Sequence, residues 1–526
     1  MTPEYCMSLI RKTATGLLLG LICSVPAWAD ISRLEITSQK PYGVFRGGEF
    51  ALWEGKVHGS LAPAEPIPGL SQAARNSQGR VDYSARIVLI IPVGQNRGNG
   101  ALLVDIPNRG RAYGLANYNS PRDEAFQAGT FEQGTGFLQD AGFSLLEIYW
   151  ELGQGADLPS WVDAAGKRQF VEGAGFAIVR DAADYFAHRA TDSAGTPNPL
   201  KGSINRVIGS GKSQDGRFLK SFLLHGFNQT AGRRVFDGLH VFVAAAGLLP
   251  IMTTGPGPQS SGNGVPTFDD PEFRGDTEEP LTIGELVRQV EARGEVPPKI
   301  VMINSVSDYY SRRASLGRTG ASGSSDQPIP PNVRMYDIAG ASHVRVASAP
   351  AECQVPPGRL DWTPVSRATL MRLDEWVGIN ESPPDSMLMP LEPAPDQPPA
   401  LRAPAYFPQA IVQVPRRDAD GNALGGVRLP DLAVPLGTHG GQNKPLTFAC
   451  MLIGSWSPFA ATEAERQAAS DKRLSLAERY TSRNDYVGRV RLASHALIAE
   501  GFLLPDDAAV IIQAAAAQAA LARLRR

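Results

Sequence analysis

Only four cysteines stand in 526 residues, two of them in the first 23. Cys353 and Cys450 are too few for a disulfide-knit small scaffold or a paired-cysteine zinc framework. No His-Glu-x-x-His and no acidic calcium loop is present, so the sequence offers no metal motif, and no cofactor is expected. After the N-terminus there is no uninterrupted apolar run of about 18 residues, which argues against a membrane anchor. Neither sign of charge dominates: 51 Lys and Arg face 53 Asp and Glu, for a net charge of -2. With both signs spread along the chain there is no basic stripe for nucleic acid and no acidic tail. A small-molecule or oligomeric substrate is the expected partner.

What is there begins with an export signal. Arg11 and Lys12 precede the apolar "TGLLLGLICSV", then Pro26 and "AWA" ending at Ala29, a small-x-small cleavage pattern. Residues 1–29 are therefore expected to be a signal peptide, with the mature chain starting at Asp30 in the periplasm or medium. In that oxidising setting Cys353 and Cys450 most simply form one disulfide.

Residues 31 to about 107 hold strand-like runs such as "GEFALWEGKVHG" and "DYSARIVLIIPV", separated by Gly and Pro. From about 130 to 350, apolar strands alternate with helical patterns, which predicts an α/β fold with a mostly parallel, doubly wound sheet and antiparallel N-terminal strands. The core is expected over 30–380, interrupted near 253–280 by a long polar Gly/Pro-rich stretch that reads as a lid. Residues 381–462 read as a Pro-rich strap on the core, and 463–526 as a helical tail.

The stretch "RVIGSGKSQDGRFLKSF", residues 206–222, fits three motifs. As a phosphate loop it needs glycine where Arg206 stands. As the dinucleotide fingerprint it needs glycine where Gln214 stands. As a nucleophile elbow it places Ser213 on a tight turn between a strand and a helix, with Gly211 and Gly216 relieving the crowding, although the usual small residue two positions after the serine is Asp215. Chain order favours the elbow. Asp308 follows the strand in "KIVMINSVSDYY" and His343 follows the strand in "VRMYDIAGASHV", so serine, acid and histidine come in the order this class requires. Asp337 and Asp326 are competing acids. The amide of Gln214 and one from Arg109 or Gly110, in "ALLVDIPNRGRAYG", are expected to form the oxyanion hole. His225, His240 and His495 read as structural, Asp237 as a turn brace and Trp376 as core; Tyr309 and Tyr310 line a pocket or simply pack.

The blocks "GKSQDGRFL", "HGFNQTAGRRVFDG", "NSVSDYYSRRASL", "YDIAGASHV" and "LAERYTS" resemble those of the bacterial alpha/beta hydrolase domain family of large exported proteins. The resemblance runs from about residue 31 to 520. It implies an alpha/beta-hydrolase fold and a serine-hydrolase site at Ser213, Asp308 and His343. An elbow with two oxyanion amides serves acyl transfer in general, and carboxylic esters, cleaved through an acyl-enzyme, are its easiest substrates. Acyl transfer and silent binding are the other activities such a fold hosts. Two positions depart from the family pattern: Asp215 stands where serine is usual, and Asp308 where glutamate is usual. The first is expected to bring charge close to the nucleophile.

Overall fold

The computed structural model describes residues 30–94, 98–122, 126–230, 232–249, 281–320, 323–394 and 409–524. The leader (1–29) and the lid stretch (253–280) lie outside the described residues, as do positions 395–408 of the strap.

Three long strands open the fold: β1 (Asp30–Phe45), β2 (Gly48–Leu61) and β3 (Val81–Pro92), each antiparallel to the next. They are followed by β4 (Ala101–Asp105), β5 (Ser144–Ile148), β6 (Arg206–Lys212), β7 (Gly238–Phe242), β8 (Lys299–Ser305) and β9 (Val333–Ile338). Among the described residues these make one ten-stranded sheet in the order β1-β2-β3-β5-β4-β6-β7-β8-β9, with the two-residue strand Ala156–Asp157 beside β3. From β5 to β9 every pairing is parallel.

Parallel strands carry helices on both faces, so their side chains must be apolar in both directions. Leu102, Val104, Val207, Leu239 and Met302 face one core, shared with α1 (Ala174–His188), α2 (Gln214–Leu224) and α3 (Ile283–Ala292). Leu103, Ile208, Phe242, Val301 and Ile303 face the other, shared with α5 (Thr363–Ile379) and the tail helices α6 (Arg483–Ala499) and α7 (Pro505–Leu521). The short α4 (Val306–Ser311) follows directly on β8. Trp376 is buried on α5, and His240 on β7 is buried between the Tyr118 hydroxyl (2.8 Å) and Thr369 Oγ1 (3.1 Å). His495 is exposed on α6.

The strap forms two small hairpins, Leu391–Pro393 with Gln413–Pro415 and Gly437–Gly440 with Ser455–Pro458. Cys353 and Cys450 form a disulfide across a sequence separation of 97. Beside it the Val344 amide donates to the Leu452 carbonyl at 3.0 Å, so the strap is tied to the loop that carries His343. Among the described residues no helix is long and apolar enough to cross a membrane.

The strand order contains one reversal. The chain passes from β4 to β5 on one side, then returns to place β6 on the other side of β4. Connections leaving β4 and β6 therefore diverge, and a crevice opens at their C-terminal ends.

Candidate active site

The whole of "RVIGSGK" is strand, and α2 begins at Gln214, so a single residue, Ser213, makes the turn. No loop remains there to wrap a phosphate or a pyrophosphate. Ser213 has φ 61 and ψ -108, a conformation that costs a side-chain-bearing residue about 1–3 kcal/mol. Its amide donates to the Phe242 carbonyl at 2.9 Å, which fastens the turn to β7. A Cβ on Gly211 would sit 2.6 Å from the backbone carbonyl of Asp215, and one on Gly216 would sit 2.8 Å from Ala244 Cβ. Both glycines are thus required for strand and helix to meet this closely. α2 is held from behind by Phe218, stacked on Phe176 of α1 at 4.3 Å and packed against Trp150 at 4.6 Å. Truncating such a buried ring costs about 3–5 kcal/mol.

The position two residues after the serine tolerates aspartate because its side chain turns inward. Asp215 is completely buried, and neither carboxyl oxygen has a hydrogen-bond partner among the described residues. Burial, reinforced by the nearby Asp105 and Glu151, raises its pKa well above the ordinary value. The low-dielectric interior thus favours the neutral form of this group over the charged one expected beside the nucleophile.

His343 lies in the loop after β9, 2 % exposed. Its Nε2 is 3.0 Å from Ser213 Oγ and its Nδ1 is 2.6 Å from Asp308 Oδ1. Asp308 is fully buried in the first turn of α4, where its second oxygen accepts from the Ser305 amide and hydroxyl, both at 2.7 Å. One carboxylate therefore caps a helix and meets the imidazole. Burial lowers the His343 pKa from its ordinary value; Asp308 opposes this, while Arg312 and Lys212 add to it. Among the competing acids, Asp337 spends Oδ2 on Tyr309 (2.7 Å), Arg318 (3.0 Å) and the Met389 amide (2.9 Å), and Asp326 pairs with Arg318. Tyr309 thereby serves packing and a buried polar network. Asp237 braces a turn by accepting from the Val207 amide at 3.0 Å.

Arg109 and Gly110 form the tip of a tight turn after β4, with φ of 49 and 73. Asn108 and Arg111 close that turn by exchanging backbone bonds of 2.8 and 3.0 Å. The Asn108 side chain donates to the Lys212 carbonyl at 2.9 Å, which ties the turn to the residue before the nucleophile. Asp105, raised to about 7 by burial, accepts from the amides of Tyr113 (2.7 Å) and Gly114 (2.8 Å) and holds the other flank. Asn108, Asp105 and Ser305 were not singled out from sequence. Their only signal was a position at or just after the C-terminal end of a core strand.

A serine on a strand-to-helix elbow, in contact through histidine with a buried aspartate at the crevice of a doubly wound sheet, defines the alpha/beta-hydrolase class. The chain belongs to the alpha/beta hydrolase domain family, whose profile matches residues 64–513. No curated protein matches. Similar solved structures include a rice cell wall degrading esterase from Xanthomonas oryzae, 13% identical over 40% of this chain and 49% of that one, with a TM-score of 0.21. A glucuronoyl esterase from Solibacter usitatus is 12% identical over 58% of this chain and 80% of that one, with a TM-score of 0.27. An S-formylglutathione hydrolase from Staphylococcus aureus is 11% identical over 54% and 90% respectively, with a TM-score of 0.26. The chain spans about half the length of the Xanthomonas esterase.

Proposed function

We propose that this protein is an exported serine hydrolase that cleaves carboxylic esters, with Ser213 as nucleophile, His343 as base and then acid, and Asp308 as the residue that orients the imidazole. The observation that carries this reading is the continuous contact from Ser213 Oγ through His343 to Asp308, at 3.0 and 2.6 Å, on a strained elbow.

Ser213 Oγ attacks the ester carbonyl as its proton passes to His343 Nε2. The imidazolium that forms is stabilised by Asp308 at Nδ1. The negative charge on the carbonyl oxygen is received by the Gln214 amide, at the start of α2, and by an amide of the Arg109–Gly110 turn; each such donor is worth about 3–4 kcal/mol. Collapse expels the alcohol, which takes the proton from Nε2 and leaves Ser213 acylated. Water then repeats the sequence and releases the acid. Esters are the easiest acyl donors for such a site because an alkoxide leaves more readily than an amine. Export is supported by the disulfide, which fits an oxidising compartment.

The direct test is turnover of short-chain phenyl esters by the mature chain beside Ser213→Ala. Hydrolysis that the variant loses by at least about 1000-fold is the expected result, on the scale of removing a triad member. Equal rates in both proteins would contradict the reading.

A further inference from the structure

Lys212 is the last residue of β6, covalently adjacent to the nucleophile and only partly exposed. Its Nζ lies 4.9 Å from the centroid of the Tyr113 ring and 5.1 Å from that of Trp362. Among the described residues the ammonium has no hydrogen bond and no ion pair, in contrast to Arg345, whose Nη1 meets Asp361 at 2.8 Å. Burial and the field of Arg345 push Lys212 down to about 8, with Asp308 opposing in part, so loss of water outweighs the nearby negative charge. Nearby acids are already committed. Asp308 is bound to His343 and Ser305, and Asp361 to Arg345. Arg109 and the exposed Arg111 also act on Tyr113, against Asp215 and Asp105. Two aromatic faces compensate a cation in part, but a buried charge is matched fully only by an opposite one.

We propose that Lys212 is a specificity-determining residue that receives a carboxylate of the substrate, so that the preferred esters are monoanions with the carboxylate a few bonds from the scissile carbonyl. This rests on the ester-hydrolase reading of Ser213. The carboxylate has two chemical sources: the acyl part, as in a half-ester of a dicarboxylic acid, or the alcohol part, as in an acylated hydroxy acid. A purely neutral ester leaves Lys212 uncompensated in either case.

The test compares matched pairs on the full mature chain: monophenyl succinate against phenyl butyrate for the acyl side, and 4-acetoxybenzoate against 4-methylphenyl acetate for the alcohol side. In at least one pair kcat/KM is expected to favour the anion by about tenfold or more, mainly through KM, and which pair responds identifies the side. The preference should shrink as sodium chloride is raised, fall towards one in Lys212→Met, and persist in part in Lys212→Arg. The salt series on the unmodified protein decides the matter even if Lys212→Met does not fold. Calorimetric binding of the same esters to Ser213→Ala separates the two readings. Turnover without preference in either pair overturns the role of Lys212 and leaves the hydrolase standing. Lys212-dependent binding of the anion without turnover in the unmodified protein leaves the carboxylate site standing and removes the hydrolase. Neither binding nor turnover overturns both.

Discussion

Asp308 presents one carboxylate oxygen to His343 Nδ1 at 2.6 Å and the other to the Ser305 amide and hydroxyl at 2.7 Å. One carboxylate thus serves the helix cap and the imidazole together. Position 308 lies in the first turn of α4, with its amide 3.3 Å from Ser305 Oγ, so the short aspartate side chain reaches both partners.

Asparagine at this position keeps an oxygen for the cap but turns an N–H towards the imidazole and selects the wrong tautomer. Asp308→Asn should lower kcat on the order of 10⁴-fold with a largely unchanged denaturation midpoint. Ser305→Ala, which removes the cap, should instead cost about 1 kcal/mol of stability and far less activity. Steady-state kinetics beside urea unfolding checks both, and a loss below tenfold in Asp308→Asn would remove Asp308 from the site.

The pH profile follows from the environment of His343. Burial lowers its pKa below the ordinary 6.5, and the base must be neutral to accept the Ser213 proton. The acid limb of kcat/KM should therefore fall below pH 6.5, with activity retained at the pH where an exposed histidine would be half protonated. Because Lys212 contributes to that depression, Lys212→Met should move the limb to higher pH. A limb above 6.5, or one indifferent to Lys212, would contradict this electrostatic picture.

Asp215 gives a prediction of opposite kind. Its folded-state pKa is raised, so the stability of the fold is greatest below the unfolded value near 3.8 and declines as pH rises above it, when the unfolded chain loses a proton that the folded one retains. Asp215→Asn removes that dependence while keeping the shape. The variant should be more stable than the natural chain, by a margin that widens as pH rises above the unfolded value in denaturant titrations, with ester turnover within about twofold. A destabilised variant at pH 8 would mean that the carboxylate is charged and paired in the folded protein.

Much of this fold is legible in the chain because parallel core strands are apolar on both faces, as in "ALLVD" and "KIVMINS", and helices must then alternate with them. The meeting of Ser213, His343 and Asp308 is legible because each follows a strand in a fixed order and the elbow needs glycine at 211 and 216. The inward turn of Asp215 is not, since nothing in "SQDGR" tells which way the first turn of α2 faces the sheet. Nor are the contacts of Asn108 with the Lys212 carbonyl and of Lys212 with Trp362, which join segments about 100 and 150 residues apart and exist only once the sheet reversal has brought them together. The disulfide between Cys353 and Cys450 follows from compartment and count, whereas its placement beside the His343 loop depends on the fold.

Labelling of the mature protein with a fluorophosphonate, followed by mass-spectrometric mapping of the modified peptide, tests the role of Ser213 most directly. The expected result is a single adduct on Ser213 that is lost in Ser213→Ala and strongly slowed in His343→Ala. An adduct on another serine, or none on a folded protein that turns over esters, would contradict it.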